Sequence, residues 1–442
     1  MATLELWFDV SCPYAYLASR KAPAIAAAAG VQLTWKPMLL GGVFRGIDRT
    51  APPFGGAAGR APVPAVDAGA GPLATLGPAK AANNVREMQR WAEVLGVPLK
   101  IPAAHPMRTV KALRTLLGLP ESRWAAAIDG LYAAYWQRGE DITRDDVILS
   151  ALASIPEAAT ALARADDDAI KAELHARTDE AIALGIFGAP AWVIRQPDRE
   201  PILIWGQDRM PWVDAVLAGW DPDAASPPGG PRSVATDVQP FRTPRSLELF
   251  FDVASPYAYF ALAQIAALGE VAGITPKLTP ILLGALFRDI GQVDVPIAQM
   301  SRAKQQYTQR ELGRWSRWWG VPLAWPHKFP QRTIAAQRLC VLAGDDPALA
   351  LALGRAMWAE QQDLEQPAVL AEILARAGKP AEWLARTQDP AIKQQLIDNG
   401  VRARAASVFG VPTFVVDGDH LVWGQDRADH VIRMLAGWSP GA

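Results

Sequence analysis

Apolar and polar residues alternate through Leu4-Glu5-Leu6-Trp7-Phe8-Asp9-Val10, the pattern of a half-buried strand. A Cys-Pro pair follows, and then an Ala-rich apolar run that reads as a helix. Pro13 suits a first helical position, because its missing N–H would be unpaired there. VQLTWKPMLL, from Val31, reads as a second strand parallel to the first, making a βαβ unit. Helical periodicity then runs from about Ala79 to Leu184. Two short strands around a turn and a last amphipathic helix complete the unit. A helical insertion inside a mixed sheet is predicted, of class α/β.

The whole order occurs twice. LELWFDV at Leu4 returns as LELFFDV at Leu247, an offset of 247 − 4 = 243, which also carries Phe44-Arg45 onto Phe287-Arg288. RWAEVLGVPL at Arg90 matches RWSRWWGVPL at Arg314, an offset of 314 − 90 = 224. FGAP at Phe187 matches FGVP at Phe409 (409 − 187 = 222), and WGQDR stands unchanged at Trp205 and Trp423 (423 − 205 = 218). In the second copy the insertion spans Ser301 to Ala406, and Asp417-Gly418 is a strong hairpin signal. The falling offset places extra residues of the first copy in a Pro/Gly/Ala-rich surface loop between Thr50 and Pro78, and in a longer hairpin turn between Arg195 and Pro201. Domains are expected at 1–222 and 246–442, joined by a Pro- and Ser-containing linker at 223–245.

Composition narrows the function. Hydrophobic residues make up 50% of the 442 and charged residues 20%, with a net charge of −1, so a basic nucleic-acid-binding face is not expected. Cys12 and Cys340 are the only cysteines, which excludes a disulfide framework and a cysteine-based zinc site. The histidines, among them His105, His327 and His420, lack metal-ligand spacing, so no metal is expected. Neither a signal segment nor a membrane-length apolar run is visible, and a cytoplasmic location is expected. G-x-G-x-x-G, P-loop and G-x-S-x-G patterns are missing as well.

The strand ending in FDVASPYAYFA, then PILLGALF, GVPTFVVDG and WGQDR, resembles 2-hydroxychromene-2-carboxylate isomerases, of the DsbA-like and kappa-class glutathione transferase superfamily. The resemblance spans nearly all of both copies. It implies two thioredoxin-like domains, each with a helical insertion, arranged as an intramolecular pseudo-dimer, which is compatible with a monomeric chain. It also implies glutathione as cofactor and a small-molecule substrate. Ser255 matches the family's glutathione-activating serine. Its hydroxyl would donate to a bound thiolate at a helix start, where unpaired N–H groups favour negative charge. Ser255 would serve equally as a helix N-cap. Cys12 holds the same position in the first copy, where a helix start would lower its pKa toward thiolate. With Ala15 in the place of a resolving cysteine, two-cysteine disulfide exchange is not available.

The resemblance extends to further residues. Ala189-Pro190 and Val411-Pro412 match the family's cis-proline, whose preceding residue pairs with the glutathione backbone. Gln425 and Asp426, with Gln207 and Asp208 in the first copy, match residues that hold the γ-glutamyl end, although they also suit helix capping. Lys304 and Tyr307, in SRAKQQYTQRELGRW, match a lysine–tyrosine pattern. The first copy keeps Lys80 but has Asn83 in place of the tyrosine. Such a helix offers cations to an anionic ligand or simply a solvated face. Tyr14 and Tyr257, with Arg108 and Arg332, are the expected substrate contacts. Both arginines depart from the family's usual asparagine, which points to a more acidic substrate. The expected function is a glutathione-dependent isomerase acting through a serine-stabilised thiolate on a small unsaturated or aromatic, anionic compound. The alternatives are a thiol–disulfide oxidoreductase, transferase or lyase using Cys12, and a non-catalytic binding module.

Overall fold

The computed structural model describes residues 2–47, 77–233, 245–293 and 295–441. Strands β1 (Thr3–Phe8), β2 (Gln32–Pro37), β3 (Ala191–Arg195) and β4 (Ile202–Trp205) form one sheet in the order β2-β1-β3-β4. Strands β5 (Leu247–Phe251), β6 (Lys277–Pro280), β7 (Thr413–Val416) and β8 (His420–Trp423) form a second sheet in the order β6-β5-β7-β8. The first two strands of each sheet are parallel, with Leu6 opposite Trp35 and Leu249 opposite Leu278, and the remaining pairs are antiparallel. Between the second and third strands lie the helical insertions, as the periodicity predicts. The α/β class and the duplication are thus as expected. The Asp417-Gly418 turn has both residues in the left-handed region, φ 54° and 81°, which is what a tight hairpin needs.

Three details differ from the sequence reading. The run after Cys12 breaks into helices Pro13–Ser19 and Ala22–Ala29, whereas its counterpart Pro256–Ala272 is continuous. Pro23 explains the break, since its ring and missing N–H exclude it from a helix interior; the second copy has Ala266 there. The last helix, expected over Arg427–Trp438, spans only Ala428–Leu435, after a 3-10 turn at Gln425–Arg427. Most of the Thr50–Pro78 loop, and residues 234–244 of the linker, lie outside the described residues.

The two copies touch reciprocally. Insertion helix Arg302–Trp319 covers the open edge of β4: Arg314 Nη1 donates to the Leu203 carbonyl (2.6 Å), and the Trp205 N–H donates to the Tyr307 hydroxyl (2.9 Å). Helix Pro78–Leu95 covers the edge of β8, with Arg90 Nη1 donating to the Leu421 carbonyl (2.8 Å). Since 314 − 90 = 224 and 421 − 203 = 218, the arginine contact is one pair made twice with the copies exchanged, the hallmark of a two-fold contact. Covering the outer strands also removes two edges open to unwanted pairing. One apolar cluster runs across the contact through Trp212, Leu312 and Trp315.

Candidate functional site

Each site begins at an aspartate that closes the first strand of its copy. Asp252, buried, accepts from the N–H groups of Ala254 (2.9 Å) and Leu283 (2.8 Å) and from the Thr333 hydroxyl (2.8 Å). Asp9 does the same with Ser11, Leu40 and Thr109. Burial pushes both carboxyls up, while these hydrogen bonds pull back toward the charged form. One side chain therefore ties together the helix start, the PxLLG segment and the second helical element of the insertion. Asp252→Ala leaves two half-buried N–H groups and the buried Thr333 hydroxyl without their acceptor and is expected to cost about 2–4 kcal/mol in urea unfolding, with the segment around Ser255 losing amide-exchange protection first.

Next to that anchor, Ser255 is the N-cap of helix Pro256–Ala272. Its Oγ accepts from the Ala258 N–H (3.3 Å) and donates to the Val411 carbonyl (3.4 Å). The cap and the position facing the Val411-Pro412 bond are the same group. Cys12 caps nothing; its Sγ donates to the Ala189 carbonyl at 3.1 Å. The bonds Ala189–Pro190 and Val411–Pro412 are both cis, as expected. Gly410 has to be glycine for space, because a Cβ there would lie 2.8 Å from Trp423 Nε1. Gly424 turns the chain into the QDR segment at φ 108°, a backbone that L side chains rarely adopt.

The helix start does not lower the Cys12 pKa as expected. Burial, reinforced by Asp9, pushes its pKa up to about 12, outweighing the N–H groups at the helix start. An apolar site with a carboxylate beneath it is no place for a free thiolate.

The two QDR segments meet in a buried ion cluster. Arg209 pairs with Asp208 (2.8 Å), Asp426 (2.7 Å) and Glu311 (2.8 Å). Arg427 pairs with Asp426 (3.0 Å), Asp208 (2.7 Å) and Glu87 (2.7 Å). Burial opposes charge on Asp426, but Arg427 and Arg209 hold its carboxyl below the usual range. Both aspartates expected to take an amino group are thus already neutralised. Gln207 and Gln425 are buried beside them.

Lys304 and Tyr307, expected beside Ser255, pack against rings of the first copy. Lys304 Nζ sits 5.9 Å from the Phe187 ring and 5.4 Å from the Trp205 ring, and burial pulls its pKa down, as does Lys80. Tyr307 packs in the cluster containing Cys12, Phe187 and Ala189. In the reciprocal place, Lys80 Nζ lies 5.4 Å from the Trp423 ring, and Asn83 is buried with Oδ1 unpaired. Tyr14 donates its hydroxyl to Asn84 Oδ1. Tyr257 is half-buried near Glu311 and Asp426, and desolvation first, then those carboxylates, pushes its phenol pKa well up. Arg108 and Arg332 are exposed, and neither guanidinium has an ion pair among the described residues. The residues that sequence reasoning missed are Thr109 and Thr333, Glu87 and Glu311, and Trp205 and Trp423. Their signal was identity between copies at a shared offset. Among the described residues no group of three or more His, Cys, Asp or Glu could hold a metal ion, and no helix is long and apolar enough to cross a membrane.

The model of the DsbA-like thioredoxin domain matches residues 3–218 and again 246–436. The chain belongs to the DsbA-like thioredoxin family. Both DsbA-like units contain the full strand order described above. Over 209 residues the chain is 25% identical to human glutathione S-transferase kappa 1, covering 43% of this chain and 91% of that protein. It is 28% identical over 187 residues to 2-hydroxychromene-2-carboxylate isomerase of Pseudomonas putida, covering 41% and 89%. A solved 2-hydroxychromene-2-carboxylate isomerase aligns with TM-score 0.39 at 23% identity, over 43% of this chain and 93% of that one. Each relative thus corresponds in length to one of the two domains.

Proposed function

We propose that the second domain binds glutathione as a thiol co-substrate at Ser255, and that the chain is a glutathione-dependent isomerase. The observation that carries this reading is an asymmetry between the two sites. At the Cys12 site, Tyr307 fills the space beside Phe187 and Trp205. At the Ser255 site its equivalent is Asn83, and Trp423 is left 36% exposed. Relatives named as kappa glutathione transferases and 2-hydroxychromene-2-carboxylate isomerase support the co-substrate and the reaction class.

The residues present fit such a ligand. The 3.4 Å bond from Ser255 to Val411 is near the limit of hydrogen bonding, so its proton can turn to a thiolate at little cost. The backbone of Val411 beside cis-Pro412 suits an extended peptide, and the unpaired Asn83 Oδ1 can accept from it. Lys80 supplies a cation to a carboxylate. The cluster around Arg209 and Arg427 fixes Gln425 rather than acting as a free acid. In the reaction, a thiolate adds to an unsaturated carbon of the substrate, a bond rotates in the adduct, and the same thiolate leaves, so the net change is isomerisation. Ser255 holds the departing negative charge, and the exposed Arg332 is the proposed contact for an anionic substrate.

The ultraviolet absorbance of bound thiolate tests this role. Wild-type protein with reduced glutathione is expected to show thiolate at neutral pH. Ser255→Ala should raise the apparent thiol pKa by roughly 1–2 units, the worth of one hydrogen bond to a charged group. An unchanged titration in Ser255→Ala would remove the serine from the mechanism.

A further inference from the structure

The two domains part company where the short helix after the second strand meets the helix before the third. In the first domain these are Leu40–Gly46 and Asp168–Ala183, and they close on one another. A methyl on Gly42 would lie 2.9 Å from Thr178 Cγ2, and one on Gly46 would strike Ile182 Cδ1. The offsets 285 − 42 = 243 and 400 − 178 = 222 place Ala285 and Asp289 opposite Gly400 and Arg404 in the second domain. Thr178 has become a glycine, and Ile182 an arginine that pairs with Asp289. A cavity of about 200 Å³ results between helices Leu283–Asp289 and Pro390–Ala405.

The cavity is apolar on its walls, through Leu282, Leu286 and Leu396, and cationic at its rim, through Arg338, Lys393 and Arg404. Asp289 accounts for Arg404. The other two cations have no carboxylate partner among the described residues. Arg114, which corresponds to Arg338 (338 − 114 = 224), pairs with Asp166; the equivalent of Asp166 is Gln388 (388 − 166 = 222). Arg338 is left with the Thr387 carbonyl at 3.3 Å, and its Nε, like that of Arg114, is buried without an acceptor. Lys393 makes no ion pair among the described residues. An engineered cavity of about 150 Å³ lined by Leu, Ile and Phe holds benzene, so this one has room for a single ring and a carboxylate.

We infer that this groove is a second ligand site, for a small monocarboxylate with a single-ring or short-chain apolar body. The body lies on Leu286 and Leu396 and the carboxylate on Arg338 and Lys393. The residues proposed to hold glutathione, Ser255, Val411, Asn83 and Lys80, do not line the groove.

Benzoate is the probe, titrated into the full chain by calorimetry, with benzyl alcohol as the neutral counterpart. Gly400→Thr restores the side chain of the first domain at a position where a Cβ meets nothing within 4 Å, and unfolding by urea checks that the variant is folded. Saturable benzoate binding is expected in the wild type and unchanged by saturating reduced glutathione. Lys393→Ala should weaken it by about tenfold, the loss of one charge-assisted contact, and Gly400→Thr should abolish it. Benzyl alcohol should bind about tenfold more weakly than benzoate. The inference is overturned if wild type shows no saturable binding, if Gly400→Thr binds as wild type does, if benzyl alcohol matches benzoate, or if glutathione displaces benzoate.

Discussion

Arg209→Ala is expected to destabilise the protein by about 3–5 kcal/mol, the loss seen when one partner of a buried ion pair is removed. The reason is the charge left behind. Arg209 is buried and contacts Asp208, Asp426 and Glu311, and burial already pushes the Glu311 carboxyl up. Without the guanidinium, two of these acids keep a share of Arg427 and Glu311 keeps none. Arg209→Lys should rescue little, because a point charge cannot replace a planar fork shared among three carboxylates. Adding Glu311→Gln to Arg209→Ala should recover part of the loss, since it removes the orphaned charge. Arg144→Ala is the control: that arginine pairs with Asp146 at a site where the side chains are 62% and 68% exposed, and its loss should leave the urea midpoint nearly unchanged. Urea unfolding of the four variants measures all of this. Equal effects for Arg209→Ala and Arg144→Ala would contradict the account of the cluster.

His430→Phe is expected to stabilise the protein, increasingly as pH falls. The His430 ring is 1% exposed, lies 4.7 Å from the Trp91 ring, and has neither nitrogen hydrogen-bonded. Its counterpart in the first domain is Trp212, which packs on Trp315 in the same way. Burial, with Arg427, Arg90 and Arg433 around it and Asp426 opposing, brings the imidazole down to about 3 from an ordinary 6.5. The sign follows from proton counting. Between those values the unfolded chain binds a proton that the native chain refuses, so stability is complete above 6.5 and lost as pH falls toward 3. Phenylalanine carries no such penalty. At pH 7 the gain is the relief of two unpaired nitrogens, about 1–3 kcal/mol. Below 6.5 it should grow by about 1.4 kcal/mol per pH unit, adding roughly 2–3 kcal/mol by pH 4.5. Thermal or urea unfolding of both proteins from pH 7.5 to 4.5 gives the difference directly, and a pH-independent difference would contradict the neutral, buried imidazole.

Most of the fold was legible because the sequence repeats its own signals. Alternation in LELWFDV and LELFFDV, the Asp-Gly turn and the Pro after each Cys or Ser are local features with local causes. The cis-prolines were legible only through the family resemblance. What local pattern does not carry is which domain a helix faces. Helix Arg302–Trp319 shows an amphipathic stripe with Glu311 and Arg314 on it, and the sequence alone gives those charges no partner, so they read as a solvated face. Their partners, Arg209 and the Leu203 carbonyl in the other copy and Asp223 at the start of the linker, lie about a hundred residues away. The Cys12 expectation went wrong for a similar reason. A helix start is visible in sequence, whereas burial close to Asp9 is a property of the packed structure. Pro23 was visible too, and its helix break follows from a rule that a run of alanines obscured.

Calorimetric titration of reduced glutathione into wild type, Ser255→Ala and Cys12→Ala tests the central claim most directly. The account predicts one site per chain, weakened about tenfold or more by Ser255→Ala, for the loss of one hydrogen bond to a charged group, and indifferent to Cys12→Ala. Two equal sites per chain, or a loss confined to Cys12→Ala, would contradict it.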